Sequence, residues 1–180
     1  MSEFYKVNIN GYEEDLPVMP LPSGIKIAFF NLHGNQRLTE HCGKELAKLL
    51  KGSEVIITAE SKGLQLAHVV AREMDMPFYA VARKSKKLYM QDGIEVSYGS
   101  SITTGKPQEL YLSKHDVELI KGKKVAIVDD VVSTGASLDG LVKIVEKAGG
   151  IVYKKAFVLA EGESKNLKDI IYLATIPIIK

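Results

Sequence analysis

The chain has 180 residues, 46% of them hydrophobic, with 24 basic against 22 acidic side chains and a formal net charge of +2. That length suits one well-buried domain and is short for two. Lys and Arg are spread along the chain, which argues against a nucleic-acid footprint, no apolar run reaches the length of a membrane span, and the single cysteine, Cys42, leaves no intramolecular disulfide or thiolate zinc cluster.

Met1-Ser2-Glu3-Phe4 carries no basic start followed by an apolar stretch, so a cytoplasmic location is the expectation. Pro17, Pro20, Pro22 and Gly24 break up the region before Ile25, which reads as an irregular lead-in. Leu38, Cys42, Leu46, Leu49 and Leu50 then recur at helical spacing behind Asn35 as a cap, with Cys42 a small buried residue on that helix. Val55 to Thr58 reads as a strand, Leu66, Val69, Val70 and Met74 mark a second amphipathic helix, and Phe78 to Ala82 a second strand. From Arg83 to Gly122 the chain is polar, with strand-like pieces Ile94 to Tyr98 and Glu109 to Leu112 that predict a hairpin with a mobile tip. Val125 to Val128 has no polar alternation, as in a central strand covered on both faces. Leu138, Leu141, Val142 and Val145 give a further helix stopped by Gly149-Gly150, and residues 161–180 read as a final strand with an apolar tail. Such alternation predicts an α/β fold with a parallel sheet and right-handed crossovers.

The chemistry concentrates where the central strand ends, in Asp129-Asp130-Val131-Val132-Ser133-Thr134-Gly135-Ala136-Ser137. Open α/β sheets bind ligands at the carboxyl ends of their strands. Hydroxyls and unobstructed backbone N–H groups at the start of a helix suit a phosphate. Two carboxylates cannot sit against that phosphate without repulsion, but one step away they can accept hydrogen bonds from a vicinal diol. Diol beside phosphate describes a ribose 5-phosphate. A P-loop would need Gly-Lys-Ser/Thr and a dinucleotide site Gly-x-Gly-x-x-Gly, and neither is present. A second small-residue turn, Ala59-Glu60-Ser61-Lys62-Gly63, precedes the second helix and again aims donors at an anion. Arg83, Lys84, Lys86 and Lys87 add cations at the end of the next strand, with Lys86 and Lys87 divided between phosphate contact and solvated surface.

Residues 125–138 resemble the 5-phosphoribosyl-1-pyrophosphate (PRPP) signature of the type I phosphoribosyltransferases, in which apolar residues lead to two acids, two apolar residues, a variable position and Thr-Gly. The resemblance implies that fold: a central, mainly parallel sheet flanked by helices, a flexible lid hairpin at residues 84–107, and a small hood from the terminal segments, with residues 1–34 as hood and base-pocket lead-in of a single domain, 1–180. It implies that Asp129 and Asp130 are the catalytic acids that hold the ribose. Ser133, Thr134, Gly135, Ala136 and Ser137 would hold the 5-phosphate, and Glu60, Ser61, Lys62, Gly63, Arg83 and Lys84 the pyrophosphate, with Lys62 as its cation. Mg²⁺ would come in with the substrate, with Asp129 and Asp130 as further oxygen ligands.

Ser97-Tyr98 matches the Ser-Tyr pair of the family's catalytic loop, and Thr103 stands near the place where adenine enzymes carry a Glu. The stretch from Ile27 to His33 resembles the base-contacting segment of xanthine enzymes, with Phe29 or Phe30 to stack on a purine and Asn31 to read its edge. One of the two phenylalanines is expected in the core. Ser133 at the variable position departs from the Asp of hypoxanthine and guanine enzymes. The implied activity is transfer of the phosphoribosyl group of PRPP to a purine, adenine ahead of xanthine or guanine, with an orotate phosphoribosyltransferase as an alternative. Homodimers are usual in the family. A non-catalytic PRPP sensor is the alternative, although residues 1–34 are too few for the winged helix that the family's DNA-binding repressors carry, so no nucleic-acid or membrane partner is expected.

Overall fold

The computed structural model describes residues 3–99 and 107–179. In chain order the elements are β1 (Phe4–Ile9), β2 (Tyr12–Pro20), β3 (Lys26–Ala28), α1 (Gln36–Leu49), β4 (Val55–Ala59), α2 (Leu64–Glu73) and β5 (Ala80–Ala82). There follow β6 (Ile94–Tyr98), β7 (Gln108–Leu112), α3 (Lys114–Ile120), β8 (Lys124–Val132), α4 (Ala136–Lys147), β9 (Ile151–Glu161), β10 (Ile171–Ile176) and β11 (Ile178–Ile179).

The central sheet has the order β10-β9-β8-β4-β5, with every pairing parallel. Successive side chains on a strand point to opposite faces. Ala126 and Val128 of β8 therefore pack with α1, α2 and the N-terminal segment, while Val125 and Ile127 pack with α4, α3 and the β6–β7 hairpin. Helices on both faces explain why Val125 to Val128 shows no polar alternation. Asn35 caps α1 as expected, its side chain accepting from the Leu38 N–H. Cys42 is buried on that helix, and burial, assisted by Glu14 and Glu45, pushes its thiol up to about 12, so it is no nucleophile.

Three expectations need correction. The proline-broken lead-in is ordered: β1 and β2 form a hairpin about Asn10-Gly11, whose φ values of 49° and 93° are the left-handed pair of a tight hairpin turn. Val7, Ile9 and Leu16 bury the inner face of this hairpin, and Pro17, which lacks an N–H, still uses its carbonyl to accept from Phe29. The strand expected from Phe78 begins only at Ala80, because Phe78 has no ladder partner and lies exposed with its ring against the edge of His115. The polar stretch before Gly122 contains α3, opened by Ser113, whose hydroxyl accepts from the Asp116 N–H and donates to the Asp116 carboxylate.

The apolar tail divides between two sheets. β10 extends the central sheet beside β9, and β11 crosses to pair antiparallel with β3, so β1, β2, β3 and β11 make a four-stranded hood from both ends of the chain. β6 and β7 form the expected hairpin, tied to the central sheet by backbone pairing of Arg83 with Tyr111. No helix among the described residues is long and apolar enough to cross a membrane.

Candidate active site

The carboxyl ends of β4, β5 and β8 lie side by side, and each carries one part of the expected site. Asp129 and Asp130 lie within β8 rather than after it, and both are buried, each with 6% of its surface exposed. Strand alternation turns them in different directions. Asp129 accepts the Asp130 backbone N–H at 2.9 Å and the Ser61 hydroxyl at 3.4 Å, and borders a cavity of about 110 Å³ lined by the 131–138 loop and Phe157. Asp130 faces Lys62, whose Nζ is 3.0 Å from Oδ2 but off the hydrogen-bonding line, so that buried oxygen has no hydrogen-bond donor among the described residues.

Burial raises the Asp129 carboxyl above the usual aspartate range, to about 7, and the neighbouring Asp130 carboxylate adds to the shift. A buried, partly unsatisfied pair of carboxylates is costly without a partner. Hard oxygens of this kind suit a Mg²⁺ ion bound together with a substrate. No group of three or more His, Cys, Asp or Glu side chains that could hold a metal without a substrate occurs among the described residues.

After β8 the chain turns through Ser133 and Thr134 to Gly135, whose φ of 84° is left-handed and lets α4 start at once. The first turn of α4 directs its N–H groups into the cavity beside Asp129; the Ala136 N–H meets the Thr134 hydroxyl at 3.4 Å. Ser133, Thr134 and Ser137 are exposed at its rim. Ser164, which nothing in the local sequence singles out, is buried in the turn Gly162–Asn166 with its hydroxyl 2.8 Å from both the Val132 and Glu161 carbonyl oxygens. It anchors the strand end from which the loop springs.

The Glu60 to Gly63 loop closes the other side. A Cβ on Gly63 would come within 2.7 Å of Asp129 Oδ1 and 2.6 Å of Thr58 Oγ1, so only glycine lets α2 begin this close to the acid. Glu60 turns away from the loop interior. Its carboxylate takes Arg83 Nη2 at 2.9 Å and the Lys84 backbone N–H at 3.2 Å. Burial opposes ionisation of Glu60, but the Lys84 N–H and the Arg83 guanidinium outweigh it and hold the carboxyl below its ordinary value. Arg83 also donates to the Tyr89 hydroxyl at 3.1 Å, while Lys84 is exposed.

Phe30 is the core phenylalanine, 2% exposed, and Phe29 is half-buried. Asn31 is exposed, its Oδ1 accepting from the His33 N–H, and His33 meets Gln65 of α2 at 3.2 Å. In the hairpin, Tyr98 is buried against Gly140 of α4, with its hydroxyl donating to Gln108. Burial raises its phenol, Asp129 pushes in the same direction and a hydrogen bond with Ser137 opposes, so Tyr98 stands beside the 133–137 loop. Ser97, on the other face of the strand, is exposed and borders a surface depression that Lys143 and Glu146 also line. Thr103 lies outside the described residues.

The structure thus gathers the 133–137 loop, the acids, the small-residue turn and the hood at the carboxyl ends of the central strands. Solved proteins with this arrangement are known. An adenine phosphoribosyltransferase from Thermoanaerobacter pseudethanolicus superposes with a TM-score of 0.72 at 25% identity, covering 89% of this chain and 95% of that one. One from Rhodothermus marinus gives 0.70 at 23% identity, covering 89% and 93%, a likeness of fold. In sequence, a xanthine phosphoribosyltransferase from Exiguobacterium sp. is 36% identical over 73% of this chain and 71% of its own length. Another from Bacillus thuringiensis is 35% identical over 72% and 68%. The phosphoribosyl transferase domain itself matches residues 31–179. This protein belongs to the phosphoribosyl transferase family, a class of pentosyltransferases.

Proposed function

We propose that the chain transfers the 5-phosphoribosyl group of PRPP to a purine base, releasing pyrophosphate and forming a nucleoside monophosphate. The observation that carries the reading is Asp129, buried between the helix-start loop 133–137 on one side and the Ser61-Lys62-Gly63 turn on the other. A ribose whose 5-phosphate sits on α4 sets its ring against the two acids and its first carbon toward residues 61–63. Ser133 to Ser137 bind the phosphate through hydroxyls and backbone N–H groups. Asp129 and Asp130 accept from the ribose hydroxyls, and Arg83 and Lys84, held by Glu60, face the leaving diphosphate. Bound with the substrate, Mg²⁺ would neutralise the leaving group, with Asp129 and Asp130 as its protein oxygens. Charge stabilisation and positioning supply most of the acceleration in such a displacement.

The sequence favours adenine as the acceptor, and the structural neighbours bear that name. The relatives of higher identity bear the name xanthine, which supports an oxopurine, and we give the oxopurines first place. We extend the proposal to a single domain at work in the cytoplasm, where nucleotide precursors are handled, and to a homodimer. Leu88 and Tyr89, 91% and 69% exposed in the segment after Arg83, support a neighbouring copy there.

The test is pyrophosphate release from PRPP and Mg²⁺ with adenine, guanine, hypoxanthine, xanthine and orotate supplied separately. Release with a purine is the expected result, and the Asp129→Asn, Asp130→Asn double variant should lose it by at least about a thousandfold. PRPP binding without release from any base would replace the transferase reading with the sensor.

A further inference from the structure

Lys62 does not lie along its own turn. Its side chain crosses from the pyrophosphate side of the site to the hood, where Nζ donates to the Phe30 backbone carbonyl at 2.9 Å, lies 3.0 Å from Asp130 Oδ2 and stands 5.2 Å from the centre of the Phe29 ring. Three independent groups therefore hold this cation where the base is expected: a carbonyl, a buried carboxylate and an aromatic face.

We propose that Lys62 selects the base, favouring purines with exocyclic oxygens over those with an exocyclic amine. The proposal rests on the transferase reading above. An ammonium carries three donors and no acceptor. One is spent on the Phe30 carbonyl, and Asp130 attracts the charge without an aligned hydrogen bond, so a donor remains for the edge of a base stacked on Phe29. That donor satisfies the oxygen of a 6-oxo or 2,6-dioxo purine. Against the amino group of adenine it meets another donor. The Phe30 carbonyl could accept from such an amine through its second lone pair only with the Lys62 ammonium beside it, donor against donor. A site that leaves buried polar groups unpaired rejects the wrong ligand far more strongly than a merely ill-fitting one.

The experiment compares the wild-type chain, Lys62→Met and Lys62→Arg in pyrophosphate release with xanthine, guanine, hypoxanthine and adenine at varied PRPP. For Lys62→Met, kcat/KM with the preferred oxopurine should fall roughly 10- to 100-fold, the loss of one charged hydrogen bond. Adenine should hold or improve, and the KM for PRPP should move less than about threefold. Lys62→Arg, which keeps donors at the hood, should recover most of the preference. Equal losses with all bases and a raised PRPP KM would overturn the proposal and return Lys62 to the pyrophosphate, with the transferase reading intact. A wild-type chain that prefers adenine would overturn it as well. No release from any purine by the wild-type chain would overturn the transferase reading itself, and this one with it.

Discussion

The Asp129 side chain is held where little water reaches it. Its carboxyl is raised to about 7, first by burial and then by Asp130, so the folded protein binds a proton more tightly than the unfolded chain does. The resulting stabilisation is complete below the ordinary aspartate value and is lost as pH rises through about 7. Asp129→Asn keeps an oxygen to accept from the Asp130 N–H and from Ser61 but carries no charge. The ligand-free variant should therefore match the wild-type chain near pH 4 and be more stable at pH 8 by about 1–3 kcal/mol. Thermal melts at both pH values check this; an advantage of equal size at both would show that ionisation is not the cause. The residue types at this site were legible in the sequence because the signature is local. The opposite facing of the two acids was open to strand alternation as well, had β8 been extended through them. The course of Lys62 was not legible, since Phe29 and Phe30 come close to it only through the packing of the hood.

Between elements, the contact of the β6–β7 hairpin with α4 sets the distance of Tyr98 from the 133–137 loop. Gly140 makes it possible: a Cβ there would lie 2.7 Å from Tyr98 ring carbons. In an exposed helix, Gly→Ala gains about 1 kcal/mol. Here Gly140→Ala should instead destabilise by roughly 1–3 kcal/mol through overpacking, as read from the midpoint of a denaturant titration. A stabilised variant would show that the hairpin yields freely. The ends of the hairpin strands are readable from their apolar pattern, as are α1 with its Asn35 cap and the parallel strands. The β1–β2 hairpin has a local signal in Asn10-Gly11, but the turn formers Pro17, Pro20, Pro22 and Gly24 mask the continuity of the strands that follow. α3 had the Ser113 and Asp116 cap, in a stretch whose polarity suggested a loop.

For the whole molecule, both chain ends meet in the hood, where Ile178 and Ile179 pair with Ile27 and Lys26 beside the segment that carries Phe29 and Phe30. The hood thus depends on residues about 150 positions apart. The opposite rim, around Arg83, exposes Leu88 and Tyr89. Sedimentation should show a dimer at working concentration, and Leu88→Asp should shift it toward monomer, because a charge in an apolar interface costs more than its loss of area. A wild-type chain that stays monomeric would remove the homodimer from the proposal.

By itself the sequence determined the run from the acids to the helix start: Asp129, Asp130, the hydroxyls, Gly135 and the start of α4 are consecutive, and local backbone geometry suffices to place them. The tertiary structure alone decided the meeting of Lys62 with the hood. There a cation from one loop, a carbonyl from another segment and a strand from the far terminus come together only because the hood packs on the sheet. No local pattern encodes that meeting, because it follows from the packing of distant apolar faces.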